Sequence, residues 1–282
     1  MDKDTKMNIE EFVIENYFLL GNKKCAEILN VNKSVISNIT TKYKLKMDDI
    51  IKRKFNSESK IKKDGDYKVN TNKFISDIDE NGSYILGLLW ADGYLNKDKK
   101  NNSISIECIK DDMVYFKTIF NKTGEWGYNE RLRTNKKNKV VRLTTNNKYL
   151  KDYLTENDFL DKSLSSPTKI LNKIPSKLTH YFLLGIIDGD GCFYYNEKRN
   201  LRQFSITGSL LQDYSSFEDI FNKLNVKYTI RRIKNSKTGY SQIRISNKSD
   251  IKKIGDFIYS DIKDNKIGLH RKYDKYLKII GK

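Results

Sequence analysis

Asp92 and Asp190 each close a short apolar run: Tyr84 to Tyr94 reads YILGLLWADGY, and Tyr181 to Cys192 reads YFLLGIIDGDGC. Superposed, the runs pair Gly87 with Gly185, Ala91 with Gly189, Asp92 with Asp190 and Gly93 with Gly191 at one offset of 98 positions, as an internal repeat would. If both runs are helical, the small residues at i and i+4 form flat stripes that let two backbones approach closely. Two helices crossing on those stripes bring their C-terminal ends together, each with an aspartate followed by a glycine suited to the left-handed turn that stops a helix. A carboxylate sits badly at the negative end of a helix dipole, and two carboxylates oppose each other's ionisation. A divalent cation repairs both defects, and hard oxygen ligands suit magnesium, Mn²⁺ being an alternative.

These segments resemble the signature helix of the LAGLIDADG homing endonucleases, as ILGLLWADG (Ile85 to Gly93) and LLGIIDGDG (Leu183 to Gly191). Trp90 replaces the first acid of the motif, whereas Asp188 keeps it. The resemblance implies an α+β fold of two pseudo-symmetric αββαββα repeats forming a DNA-binding saddle. It also implies Asp92 and Asp190 as catalytic metal ligands, with the backbone carbonyls of Ala91 and Gly189 beside them. The implied reaction is hydrolysis of one phosphodiester per strand of double-stranded DNA, giving a staggered break across the minor groove of a long target.

The elements that must position these residues are legible in order. Residues 8 to 46 read as helical, with Gly21 ending the first helix, and Cys25, Ala26, Leu29, Val31, Ile36 and Ile39 fall on the inward positions of a helix-turn-helix. Asn30 stands at the turn where glycine is usual. The second helix would present Asn32, Lys33, Ser34, Ser37, Asn38 and Lys42 to a major groove. Residues 47 to 73 lose apolar periodicity and read as a basic linker. The domain expectation is therefore a helix-turn-helix unit at 1–46, a linker at 47–73, and repeats at 74–166 and 167–282.

In the first repeat Ile104, Ile106 and Cys108 alternate against Ser103, Ser105 and Glu107, a strand with one buried face. A second hairpin (EWGYNERLRT, KVVRLTTN) and a helix close the unit. The second repeat has the same order: signature helix 177–189, hairpin, helix SLLQDYSSFEDIFNKLN, hairpin, helix KSDIKKIGDFIYS. A basic amphipathic helix ends the tail. A four-stranded sheet fits a major groove. Candidates for reading bases and phosphates are Asn129, Arg131, Arg133 and Arg142 in the first repeat, and Arg202, Gln203, Arg231, Arg232, Gln242 and Arg244 in the second. Arg142 (VVRLTT) and Arg244 (QIRISN) are expected at matching places on the fourth strand, where the family carries a basic residue near the scissile phosphate.

The composition bounds the partners. A formal net charge of +18 on 282 residues favours a polyanion, although a Lys- and Asn-rich genome supplies part of the bias. Both histidines stand alone, so Ser/His/Asp or histidine–metal chemistry has little to work with. The three cysteines are odd in number and widely spaced, which fits a reducing, cytoplasmic setting, bacterial, phage-encoded or organellar. No long apolar run points to a membrane. Two repeats on one chain need no second copy, so a monomer and a non-palindromic target are expected. The rival readings are a non-cleaving DNA-binding regulator and an intron RNA maturase on the same fold, the latter adding RNA as a partner.

Overall fold

The computed structural model describes residues 3–45, 69–132, 139–234, 239–261 and 267–281. The chain divides into two compact units, Met1–Asp66 and Tyr67–Lys282.

The first unit is all helical. Helix α1 (Lys3–Ile28) is broken at Gly21, whose φ of 68° and ψ of 171° lie outside helical geometry. Gly21 therefore splits it into two helices, and α2 (Lys33–Lys42) follows a tight turn. Asn30 takes φ 50° in that turn, a conformation asparagine tolerates because its short polar side chain bonds locally. The apolar residues at helical spacing bury as one cluster: Ile9, Val13, Cys25, Ala26, Ile36 and Ile39.

The second unit holds two copies of one motif. Helix α3 (Glu80–Asp92) begins at Asp79, whose carboxylate accepts from Gly82 N at 2.8 Å, and runs into β1 (Gly93–Leu95). Then come β2 (Ile104–Ile109), α4 (Lys110–Asn121), β3 (Gly127–Leu132), β4 (Lys139–Thr145) and α5 (Lys148–Glu156). The second copy runs α6 (Thr179–Asp190), β5 (Gly191–Asn196), β6 (Leu201–Gly208), α7 (Ser215–Lys223), β7 (Thr229–Ile233), β8 (Tyr240–Ile245) and α8 (Lys248–Ile258), with α9 (His270–Ile280) in the tail. Each copy makes a four-stranded antiparallel sheet, ordered β1-β2-β4-β3 and β5-β6-β8-β7. Asn147 and Asn247 cap the helices that follow the sheets. One apolar core, from Val69 to Ile279, runs through both copies, with Gly82–Trp90 of α3 and Tyr181–Asp188 of α6 buried inside it.

Some expectations differ from the structure. Val69 to Lys73, read as the end of the linker, is built into the second unit: Val69 is buried and Asn70 N donates to Thr123 O at 2.8 Å. The rest of that segment lies outside the described residues. The helix expected over residues 209–225 begins only at Ser215, because 209–214 makes hydrogen bonds to the 162–166 segment instead. Gly93 and Gly191 are not left-handed turns. Their φ/ψ values of −67°/146° and −83°/150° are extended, and each signature helix passes directly into a strand. Glycine is required there for room, since a Cβ on Gly93 would meet Leu89 O at 2.4 Å and one on Gly191 would meet Ile187 O at 2.6 Å.

Candidate functional site

Helices α3 and α6 cross on their small residues. A Cβ added to Gly87 would lie 2.0 Å from Phe182 O, and one added to Gly185 would lie 2.1 Å from Tyr84 O. At the C-terminal end, a Cβ on Gly189 would meet Ala91 Cβ at 2.4 Å and Asp92 Oδ2 at 3.1 Å, so only one of the two repeats carries a methyl group there. The crossing thus brings Asp92 beside Gly189 and next to Asp190. Burial first, and then the Asp92 charge, pushes the Asp190 carboxyl up to about 6.

Two lysines complete the site, and sequence reasoning missed both. The Lys162 ammonium donates to the carbonyls of Leu89 (3.2 Å), Ala91 (2.7 Å) and Gly93 (2.7 Å). Lys272 does the same at the other helix, donating to Ile187 (2.6 Å), Asp188 (2.7 Å) and Gly191 (2.8 Å). The carbonyls left over at a helix C-terminus attract a cation, and each helix ends on one. Burial lowers both amines, Lys162 to about 8, and the Asp190 and Asp92 charges oppose the shift at Lys162. No spacing ties these lysines to the motifs. They lie 71 and 84 residues from the carbonyls of Ala91 and Asp188, in stretches that read as a connector and a tail.

The donor set fits a divalent cation. Two carboxylates, one of them holding its proton too tightly because of burial and then of the other's charge, are hard ligands whose repulsion such an ion relieves. Among the described residues no cluster of three or more His, Cys, Asp or Glu side chains exists, so further ligands would come from backbone or solvent. Of the two expected backbone ligands, Ala91 O already accepts from Lys162, and only its second lone pair remains. Lys272 makes no such bond to Gly189.

The motif's retained first acid has a different task. Asp188 is buried and accepts from Tyr84 OH at 2.7 Å and from Leu269 N at 2.8 Å, fixing the start of α9 against the crossing. At the equivalent place Trp90 packs edge-on to Phe159 with ring centroids 5.0 Å apart.

Sheet registers sort the expected DNA-contacting residues. Gly93 pairs with Ile106 and Ile106 with Leu143, while Gly191 pairs with Ile206 and Ile206 with Ile243. Position 106 therefore matches 206 and 143 matches 243, so Arg142 is equivalent to Gln242, and Arg244 to Thr144. The expected match of Arg142 with Arg244 is two residues out of register. A two-residue slip keeps every side chain on its face, so alternation alone could not reveal it.

On the face of the sheets away from the apolar core lie Glu107, Arg142 and Asn129 in one row, and Thr207, Gln242 and Arg231 in the equivalent row. Arg142 Nε donates to Glu107 Oε1 at 2.7 Å. In the second sheet Gln242 Nε2 donates to Thr207 Oγ1 at 3.0 Å, and Arg244 Nε to Gln242 Oε1 at 2.8 Å. Gln203 shares this face opposite Tyr194.

Arg202 and Arg232 do not belong there. Each is adjacent to a residue on the open face and so points to the other side, as successive strand residues must. Arg202 bonds Asn200, and Arg232 donates to the carbonyls of Leu210 and Gln212. The Arg131 backbone pairs with Val140, and Arg133 lies outside the described residues.

In the first unit Lys33, Ser34, Ser37 and Asn38 are exposed along α2. Asn32 caps the helix, accepting from Ser34 N and Oγ at 3.1 Å each. Lys42 is ion-paired to Glu10 at 2.8 Å. These two are engaged within the unit.

Paired helices crossing beneath two antiparallel sheets define a two-repeat α+β protein with a single pseudo-twofold site. Residues 178–259, within the second repeat, match the family model described as LAGLIDADG-like domain, and the first repeat has the same motif and element order. A comparison with curated proteins finds no match. Among solved structures, the chain is similar to the I-LtrWI LAGLIDADG homing endonuclease bound to target DNA, with 17% identity over 72% of this chain and 90% of that one and a TM-score of 0.44. It is similar to I-SmaMI bound to uncleaved DNA target in the presence of calcium ions, at 15% identity, 71% and 97% coverage and TM-score 0.35. It also resembles full-length DUF199/WhiA from Thermatoga maritima, at 14% identity, 72% and 60% coverage and TM-score 0.42. Among the described residues no helix is long and apolar enough to cross a membrane.

Proposed function

We propose that this protein is a site-specific endonuclease that hydrolyses both strands of double-stranded DNA with Mg²⁺ or another divalent cation, leaving a staggered break. The observation that carries the reading is the meeting of Asp92 and Asp190 at the helix crossing, with an ammonium group at each helix end. Asp92, Asp190 and the Gly189 carbonyl would hold the ion, with Ala91 O offering its remaining lone pair. When bound, the cation supplies Lewis acidity toward phosphate oxygens and lowers the pKa of its water. The protein's own groups do the rest. Each lysine holds positive charge beside the scissile phosphate and opposes the build-up of negative charge on the phosphorane. No side-chain general base is evident at the crossing.

The open faces of the two sheets suit adjacent stretches of major groove. Arg142, Asn129 and Arg131 would face one half-site; Gln203, Arg231, Gln242 and Arg244 would face the other. Because a Glu107–Arg142 pair in one sheet stands where the other has Thr207 and Gln242, the two half-sites differ, and a single chain cuts a non-palindromic target as a monomer. Lys33, Ser34, Ser37 and Asn38 would add a further contact from the helix-turn-helix.

A second reading is a non-cleaving DNA-binding regulator or RNA maturase, in which the Lys162 contacts would only close the helix end at Ala91. Linearisation of a plasmid carrying the target, recovered by cleavage selection from a randomised duplex library, decides between the two. Wild type should cut with Mg²⁺ while Asp92→Asn and Asp190→Asn bind without cutting. Equal inertness of all three, with binding intact, would establish the regulator.

A further inference from the structure

The segments that carry Lys162 and Lys272 are each anchored on the opposite repeat. Lys162 follows α5 of the first repeat, yet its carbonyl accepts from Gln212 Nε2 of the second at 3.0 Å, and the same amide donates to Ser165 O at 2.6 Å. Asp213 N donates to Leu164 O at 3.2 Å, and Ser209 Oγ donates to Ser163 O. Lys272 lies in the first turn of α9, after the second repeat. Its neighbour Arg271 is held by Asp112 of the first repeat through Nε–Oδ1 at 2.8 Å and Nη2–Oδ2 at 2.6 Å, and Gly268 N donates to Tyr115 OH. Both anchoring groups sit at the same place in their repeat, around the start of the helix between the two hairpins.

We infer that the two halves of the site are cross-wired: Gln212 in the second repeat is a positioning residue for Lys162, and Asp112 in the first is a positioning residue for Lys272. The geometry leaves few alternatives for either group. Asp112 is nearly buried, and its bidentate bond to a guanidinium is rigid and directional. Gln212, also nearly buried, spends both amide protons on the loop that carries Lys162 and on its own neighbour Asp213. A lysine chain is flexible, so the position of its Nζ at the helix end depends on where its backbone is held. Each lysine meets the C-terminal end of its own repeat's signature helix, so docking of the repeats sets both amines at once. A lone second repeat would keep the Leu269–Asp188 bond at the start of α9 but would lose the Asp112 pair beside Lys272.

Two readouts test this, and the second rests on the nuclease reading. In the first, free protein is labelled with acetic anhydride and each lysine is quantified by mass spectrometry. Asp112→Ala should raise labelling of Lys272 several-fold and leave Lys162 unchanged, and Gln212→Ala should do the reverse. If both lysines respond to either change, or neither does, the cross-wiring is wrong. In the second, a duplex target labelled on one strand or the other is cut by Lys162→Met and Lys272→Met to learn which strand depends on which amine. Asp112→Ala should then slow the Lys272 strand by about tenfold, given that small misplacements at a reacting centre are costly, with the other strand little changed. Gln212→Ala should slow the Lys162 strand. Equal slowing of both strands would mark the two residues as merely structural. Selective labelling in a protein whose wild type cuts neither strand would uphold the positioning and remove the nuclease. Should Asp112→Ala fail to fold, Asp112→Asn keeps the shape, loses the charge and is expected to shift labelling in the same direction.

Discussion

The Lys162 ammonium and the Ala91 carbonyl meet at 2.7 Å across 71 residues of chain, which sets a cation against the end of the first signature helix. That cation also interacts favourably with Asp190 and Asp92. Replacing it with methionine preserves the volume and removes the charge. Lys162→Met is expected to cut about 10–100-fold more slowly at saturating Mg²⁺, the range seen when a group beside a metal site is removed. Affinity for the duplex should be nearly unchanged. Single-turnover cleavage and a gel-shift titration separate the two; a large loss of affinity with an intact rate would contradict the assignment.

Asp190 carries a stability cost. Its carboxyl is raised from 3.8 to about 6 in the folded protein, chiefly by burial and then by Asp92. The native state thus binds this proton more tightly than the unfolded chain, so the contribution to stability is full below about pH 4 and falls away as pH rises to about 6. Asp190→Asn, uncharged at every pH, should therefore be more stable than wild type at pH 7 without divalent ions, by up to about 3 kcal/mol before solvent screening is allowed for. The gain should vanish near pH 4. Denaturant melts at the two pH values measure it, and an equal difference at both would refute the account.

The crossing tolerates nothing larger than hydrogen at its centre. Gly185→Ala drives a methyl to 2.1 Å from Tyr84 O, a backbone atom that cannot move without shifting α3. The expected loss is at the upper end of the about 1–3 kcal/mol typical of overpacking, or more. A thermal melt should show it, whereas Gly281→Ala, whose nearest neighbour is the tip of Lys248, should lose only what its positive φ of 79° costs.

Base readout should follow the pairing register. Arg142→Ala and Gln242→Ala are expected to relax preference at symmetry-related positions of the two half-sites, by about 1–3 kcal/mol each if the contacts are bidentate. Arg244→Ala should act at a different distance from the centre. Cleavage profiling on a singly substituted target library would show this; matched effects of Arg142 and Arg244 would mean the registers are misread.

Deleting residues 1 to 60 should weaken DNA binding while leaving metal-dependent cutting, because Tyr67–Lys282 has its own core and holds every group at the crossing. A folded remainder that no longer cuts at any concentration would show that the helical unit does more than add affinity.

The apolar runs with small residues every fourth position announced the helix crossing, since only hydrogen or methyl lets two backbones approach so closely. Gly87, Ala91, Gly185 and Gly189 meet there as their spacing implied. Asn30 announced its own left-handed turn. Strand alternation put Ile104, Ile106 and Cys108 on one face; the two isoleucines are buried in the core and Cys108 packs partly buried against it. The same alternation rules out Arg202 and Arg232 as partners of Gln203 and Arg231 on one face, since a strand sends neighbouring residues to opposite faces.

What the amino-acid order decided by itself was the repeat, its element sequence and the identity of the two dyad carboxylates, because these are local patterns with periods of two and 3.6 residues. Tertiary structure alone decided the rest. Which residue of β4 matches which of β8 depends on hydrogen bonding between strands and on a β5–β6 hairpin two residues longer than its counterpart. The lysines that reach the helix ends lie on segments that are bonded to the opposite repeat. A lysine in a polar connector resembles any solvated lysine until the fold closes a buried, carbonyl-lined end around it.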